Sequence, residues 1–349
     1  MPQEFKTLAD LLAHGFDTVI DVRSPAEFAE DHIPGAVSMP AMSNDERARV
    51  GTIYKQISPF EAKKVGAAIV ARNVASHIDR HMQQKNGSWK PLVYCWRGGQ
   101  RSGSVAIILK QIGWRTDTIQ GGYQTYRRLV HHALYDNEIP HRFILLDGNT
   151  GTAKTDVLKK LAAMGVQTLD LEGMANHRGS MLGAIGDQPS QKMFESRIAC
   201  ALAQLDPAKP VLVEAESSKI GKMIVPPMVW KAMCAAPRVD ISAPLEARVE
   251  YLTRAYDDVT AAPRRLKTLI QPLRTFRGNE TVDQWEKLLE AEDFPALAAS
   301  LIIDHYDPAY NKSRSVHDFT LLATVEADKL DEAGQTRLAE QIAEIVSSR

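Results

Sequence analysis

The stretch PLVYCWRGGQRSG, residues 91–103, ends an apolar run in Cys95 and passes at once into Arg97, Arg101 and the glycines Gly98, Gly99 and Gly103. The run reads as a β-strand, and RSGSVAIILKQIG behind it as a helix. Cys95 then falls at the carboxyl end of a strand, the edge at which open α/β sheets bind ligands. The glycines let several backbone N–H groups converge on one point. The helix N-terminus and the two guanidinium groups add positive potential. All of these favour thiolate over thiol. A thiolate in a cup of amides attacks soft electrophiles or carries a terminal sulfur or selenium atom. The competing reading, an inert cysteine at a strand end, leaves the glycines and arginines without a purpose. Cys200, in RIACALAQL, and Cys234, in WKAMCAAPRV, read as core residues.

A second constellation lies in FILLDGNTGTAKTDVL, where an apolar strand runs into Gly148, Thr150, Gly151, Lys154 and Thr155 and then into a helix. This is the layout of a P-loop: loop amides and the helix N-terminus cradle phosphate oxygens, Lys154 supplies a point charge, and Thr155 can hold Mg2+. Ala153 stands where a second glycine usually precedes the lysine, and alanine is acceptable there only with a negative φ. No NKxD-like motif for reading guanine is present, so the loop specifies a diphosphate rather than a nucleotide. The strand PVLVEAES ends in Glu214 and Glu216. These read either as holders of a metal-bound water or as solvated charges at a strand end. No residue set is a firm direct metal site. In the polar stretch Asn176–Ser180, Arg178 can clamp a phosphate and His177 can serve as general acid or base. The alternative is a hydrogen-bonded structural loop, continued by Gln188, Ser190 and Gln191.

The elements that must position these groups alternate strand and helix along most of the chain, which predicts an α/β fold with mainly parallel sheets covered on both faces. The pattern restarts near YDNEIPH, giving two α/β domains, 1–138 and 139–349, the second with a mainly helical, basic insertion over about 245–312. A long charged helical stretch over about 44–85, interrupted near Pro59, interrupts the first domain. The 349 residues carry 42 Lys and Arg against 43 Asp and Glu, so any nucleic-acid partner must be met by local patches. No apolar run is long enough to span a membrane, the N-terminus does not read as a signal peptide, and three separated cysteines suit a reducing, cytoplasmic setting.

IDVRSPAEFAEDHIPGAVSMP together with YCWRGGQRS resembles the rhodanese domain, over residues of about 5–130. Asp21, Arg23, Glu27 and the run His32–Ala36 match the first signature of that family, and Cys95 matches its persulfide-forming cysteine. Arg23 and Glu27 read as organisers of the loop. The motifs DLEGMANHRGSMLGAIGDQPSQKMFES, VLVEAESSKIGKMIVP and HYDPAYNKS extend the likeness: the chain resembles the tRNA 2-selenouridine synthase family, which joins a rhodanese domain to a P-loop domain. The resemblance covers essentially the whole chain.

It implies an enzyme that converts wobble 2-thiouridine to 2-selenouridine with selenophosphate, through an S-geranyl intermediate made from geranyl diphosphate. Cys95, with Arg97 and Arg101, would then accept or position selenium, most simply as a selenosulfide. The P-loop would hold the diphosphate, with Mg2+. The implied partners are the tRNA anticodon region and an enzyme that produces selenophosphate. Met223, Ile224, Met228 and Trp230 read either as a prenyl slot or as ordinary core. RNA contacts are expected from Arg264, Arg265, Lys267, Arg274 and Arg277 beside Phe276, from Arg127 and Arg128 with Tyr126, His131 and His132, and from Lys219 and Lys222; the alternative is a solvated helix face. Two other functions stand beside this one: a nucleotide-dependent sulfurtransferase or kinase acting on RNA, and a non-catalytic, redox-sensing RNA-binding protein.

Overall fold

The structure is a computed structural model and describes residues 2–180, 183, 186–255, 263–314 and 319–349, with the side chains of Pro263, Arg265 and Ser313 outside the description. The chain forms two compact units: residues 1–137 with 189–204, and residues 138–188 with 205–349. Among the described residues, no helix is long and apolar enough to cross a membrane.

The first unit is built on four parallel strands, β1 (Thr18–Asp21), β2 (Val37–Ser38), β3 (Pro91–Tyr94) and β4 (Asp117–Thr118), in the order β2-β1-β3-β4. Asp21 of β1 pairs in register with Tyr94 of β3. The carboxyl ends of the two central strands therefore lie side by side, and Cys95 follows at once. Ile20, Val93, Leu109 and Trp89 sit in the core beneath them. The charged stretch forms two helices, Asn44–Gln56 and Pro59–His77, joined by a tight turn. Ser43 and Ser58 cap their starts, and Pro59 opens the second helix where its missing N–H costs nothing.

The helix Gln191–Gln204, which follows the polar stretch of the other unit in sequence, belongs to this first unit. It buries Phe194, Ile198 and Cys200. It also carries polar groups into the unit: Ser196 donates to Asp31 at 3.0 Å, and Glu195 takes Arg127 and, at 2.8 Å, the Tyr135 hydroxyl. Asp31 further accepts from Tyr123 at 2.8 Å. Burial raises its carboxyl, and these two donors offset the rise only in part.

The second unit has five parallel strands, β5 (Phe143–Gly148), β6 (Thr168–Leu169), β7 (Val211–Glu214), β10 (Arg238–Ser242) and β11 (Leu321–Glu326), in the order β11-β10-β5-β7-β6. A small antiparallel pair, β8 (Lys219–Ile220) and β9 (Met223–Ile224), stands apart. β5 is central, so the loop after it opens at the middle of the sheet's carboxyl edge, with β7 on one side and β10 on the other. The helices Lys154–Ala163 and Glu332–Ser347 cover the sheet through Val157, Leu161, Leu338 and Ile342. The helical insertion holds a core of its own around the fully buried Trp285, whose indole donates to Ser300 at 2.8 Å.

Candidate functional site

In the first unit, Cys95 is 3% exposed and its sulfur lies 3.2 Å from the Ser102 hydroxyl, which sits one turn into the helix Gln100–Ile112. Burial pushes the thiol up. The Ser102 hydroxyl and N–H, the Arg101 charge and the Gly99 N–H together outweigh it, and the thiol ends below its ordinary value. Arg101 is held in place by Glu27 at 3.1 Å. Glu27 also takes Arg47 at 3.2 Å and the Ser24 N–H at 3.0 Å. Arg97 is exposed and pairs with no described acid.

Of the three glycines expected to curl the loop, Gly98 does so, at φ +65°. Gly103 sits inside the helix with open space around it. Gly122 matters more: at φ +59° its backbone is pressed on the Cys95 loop, where a Cβ would lie 2.2 Å from the Cys95 carbonyl oxygen. Tyr123 N–H donates to that carbonyl at 2.8 Å. The signature arginine Arg23 is fully buried, bonded to Asp21 at 2.7 Å, with its guanidinium 3.9 Å from the Tyr123 ring centroid. Its role is to brace the loops around Cys95.

In the second unit, a cavity of about 790 Å³ opens over the phosphate loop. Lys154 donates to the Gly148 carbonyl at 2.6 Å. Burial would lower its ammonium, but Tyr310, Glu216, Asp147 and Glu172 hold it above its ordinary value. Ala153 overturns the sequence-based condition: it sits in the left-handed region at φ +59°, the position a glycine would fill, and is buried in the core. Such a conformation costs a non-glycine residue about 1–2 kcal/mol, so the surrounding core imposes it. Gly148 and Gly151 are at φ +148° and +88°, and a Cβ on Gly148 would lie 2.8 Å from the Ile241 carbonyl.

Glu172 and Glu214 beside the loop are buried and Glu216 is half-buried, which overturns the reading of Glu214 as a solvated strand-end charge. Glu214 is 0% exposed and neither carboxylate oxygen has a hydrogen-bond partner. Burial, with Glu172 and Asp170 nearby, raises its carboxyl well above the usual range. Glu172, which sequence reading passed over, accepts from the Thr155 hydroxyl at 3.0 Å and is raised by burial and by Glu216. Gly179, at φ +64°, lies directly against this pair; a Cβ there would come within 2.9 Å of the Glu216 carboxyl carbon. Among the described residues, no three His, Cys, Asp or Glu side chains stand close enough to hold a metal directly. His177 and Arg178 both line the cavity. His177 is buried, its Nδ1 has no partner, and burial lowers its pKa.

The opposite wall comes from the segment holding HYDPAYNKS. Tyr310 lies 5.4 Å, ring centroid to Nζ, from Lys154. Arg314 reaches Asp147 at 3.0 Å and Asp240 at 2.7 Å, and Arg238 reaches Asp147 at 2.9 Å. Asp307 pairs with Arg248, whose Nε donates to the Thr150 carbonyl at 2.9 Å. Trp230, Met233 and Cys234 of the helix Pro227–Ala235, and Leu252 beside Gly151, add apolar lining to the same cavity. Cys234 is therefore a wall residue, not core. Of the four residues considered for a prenyl slot only Trp230 lines the cavity; Met223 is buried elsewhere and Ile224 is exposed.

A model of the tRNA 2-selenouridine synthase AAA domain matches residues 141–268, and a rhodanese-like domain model matches residues 4–129. The tRNA 2-selenouridine synthase of Psychromonas ingrahamii is 30% identical over 320 residues, covering 84% of this chain and 86% of that one. That of Hahella chejuensis is 33% identical over 322 residues, covering 84% of each. That of Aeromonas salmonicida is 36% identical over 242 residues, 68% of this chain and 64% of its own. The chain belongs to the tRNA 2-selenouridine synthase family.

The remaining candidates of this family member fall into two groups. Several basic residues are engaged by acids of the chain: Arg127 by the buried Glu195, and at the surface Lys267 by Glu286 and Glu290 at 3.2 and 3.1 Å and Arg274 by Asp283 at 2.6 Å. Arg277 donates to the His305 carbonyl at 2.9 Å. Arg128, Arg264, Lys219 and Lys222 are exposed, as is Phe276, while the Arg265 side chain lies outside the described residues. The residues following the polar stretch are structural. Ser190 caps the helix Gln191–Gln204 through the Met193 N–H at 3.1 Å, Gln191 donates to Glu195 at 3.0 Å, and Gln188 bridges the carbonyls of Ala175 and Ile220 at 3.0 and 3.1 Å.

Proposed function

We propose that this chain replaces the sulfur of wobble 2-thiouridine in tRNA with selenium from selenophosphate, through an S-geranyl-2-thiouridine formed from geranyl diphosphate. Membership in the family supports the tRNA and selenium parts of this reading. The prenyl part rests on one observation: the phosphate loop and the apolar residues Trp230, Met233 and Leu252 line one cavity. A diphosphate with a hydrocarbon tail matches both linings, whereas a free phosphate leaves the second unused.

In the first step the thiocarbonyl sulfur attacks C1 of the geranyl group. The C1–O bond breaks with its electron pair leaving on diphosphate, and the N3 proton is lost to solvent. Lys154 and the loop N–H groups stabilise the departing charge. A Mg2+ ion fits the donors present, the Thr155 hydroxyl and the two unpartnered oxygens of Glu214 through water, and when bound would add Lewis-acid stabilisation of the diphosphate. In the second step selenium adds at C2 and the C2–S bond breaks with its electron pair leaving on sulfur as geranyl thiolate, which takes a proton from solvent. Water then takes the phosphoryl group as phosphate. Selenophosphate already carries selenium at the oxidation level of the product, so Cys95 has to position the selenium, not oxidise or reduce it. Arg128, Arg264, Lys219 and Lys222 are exposed cations that suit contact with the RNA backbone.

The test is mass spectrometry of nucleosides from 2-thiouridine tRNA incubated with selenophosphate and geranyl diphosphate, separately and together. Cys95→Ser is expected to abolish 2-selenouridine and spare S-geranylation, and Lys154→Ala to reduce geranylation about 100-fold, the scale of one lost electrostatic contact to a leaving group. Wild-type selenouridine yield from Cys95→Ser, or nucleotide turnover without any prenylated product, overturns the reading.

A further inference from the structure

The helical hairpin Asn44–Gln56 and Pro59–His77 does more than complete the first unit. Its inner face packs into the core through Ala62, Gly66, Ile69 and Val70. Its tip carries three large apolar side chains in water: Tyr54 is 56%, Ile57 71% and Phe60 67% exposed. A turn between two helices needs none of them, and polar residues would serve it at no loss. The tip is also basic. Lys55, Lys63 and Lys64 are exposed, against the single acid Glu61, which pairs with Lys64 at 2.9 Å. Lys63 and Lys64 follow Phe60 by three and four positions, which sets both on its side of the helix. The Lys64 ammonium lies 5.6 Å from the Phe60 ring centroid.

We infer that this tip is an RNA-docking surface, stacking unpaired tRNA bases on Tyr54 and Phe60 while Lys55, Lys63 and Lys64 take the flanking phosphates. The inference rests on the tRNA reading above. Exposed aromatic faces set among exposed lysines are the means by which proteins hold single-stranded nucleic acid. Charge decides the occupant: a second copy would bring the same lysines against these, whereas RNA brings only phosphates.

The test measures binding of the full-length chain to an unmodified tRNA transcript by fluorescence anisotropy at two salt concentrations. Tyr54→Ala and Phe60→Ala are expected to weaken binding about 5-fold or more each, the scale of one lost base–aromatic stack. Phe60→Leu, which keeps apolar bulk without the π face, should be as weak as Phe60→Ala, and Phe60→Trp should bind as wild type. Lys55→Gln with Lys63→Gln should lower the salt slope by about 2. All four sites are exposed, so unchanged melting temperatures verify folding. Wild-type affinity in both alanine variants overturns the inference and leaves the tRNA reading intact, as does full rescue by leucine or loss of self-association without loss of RNA affinity. Absence of tRNA binding by the wild-type chain overturns both. Weakened binding together with absence of selenouridine product sustains this surface and removes the proposed reaction alone.

Discussion

Replacing Ser102 by alanine isolates what lowers the Cys95 thiol. The hydroxyl lies 3.2 Å from the sulfur and is the largest of the groups that lower the thiol. A hydrogen bond to a charged group contributes about 1.5–3 kcal/mol, and one pKa unit corresponds to about 1.4 kcal/mol. Ser102→Ala should therefore raise the Cys95 thiol and cut its thiolate fraction at a pH below the midpoint by on the order of tenfold, while Arg101 and the Gly99 N–H, which remain, keep part of the lowering. The stability consequence has a definite sign. A thiol lowered by folding contributes stability that is fully present above its unfolded value, and that contribution is lost as pH falls through the folded value. Wild type should thus gain stability over the variant as pH rises from the lowered folded value toward the unfolded value of about 8.5. The measurement is ultraviolet thiolate absorbance against pH, with Cys95→Ser as the blank, and alkylation rates resolved by peptide mass spectrometry. Cys200, pushed up by burial to about 11, serves as the internal slow control. Coincident titration curves for wild type and Ser102→Ala would refute the electrostatic account of the loop.

Two further predictions follow from buried groups. Glu214 is raised by burial, so the folded state keeps a proton that the unfolded chain releases above about pH 4.3, and stability falls with rising pH by up to about 1.4 kcal/mol per unit; in chelator, Glu214→Gln should flatten that decline in urea unfolding, and parallel pH profiles count against it. A fragment of residues 1–137 lacks the helix that buries Phe194 and Ile198, worth about 2 kcal/mol each; it should melt well below a version in which residues 189–204 are relinked to it, and equal melting temperatures would contradict the assignment of that helix.

What could be read in the sequence was local. The Cys95 loop and the phosphate loop each place their chemistry within about a dozen residues of a strand end, and both emerged from residue type and spacing. Partnerships over distance did not. Glu172 meets Thr155 only because β6 leads into a five-residue helix ending beside the loop; a capping aspartate, Asp170, was its faint local signal. The conformation of Ala153 was invisible because the core, not the residue, sets its φ. The basic segment misled for a readable reason. Asp283, Glu286 and Glu290 repeat at helical spacing in the following helix and neutralise Lys267 and Arg274. The apolar run RIACALAQL announced that the helix Gln191–Gln204 is buried but could not say in which unit.

That returning helix bears on inheritance. A gene cut at the apparent seam near codon 138 would hand on a first unit that lacks one of its own helices, and leave that helix stranded with the other. An excised first unit therefore has to carry residues 189–204 along with 1–137.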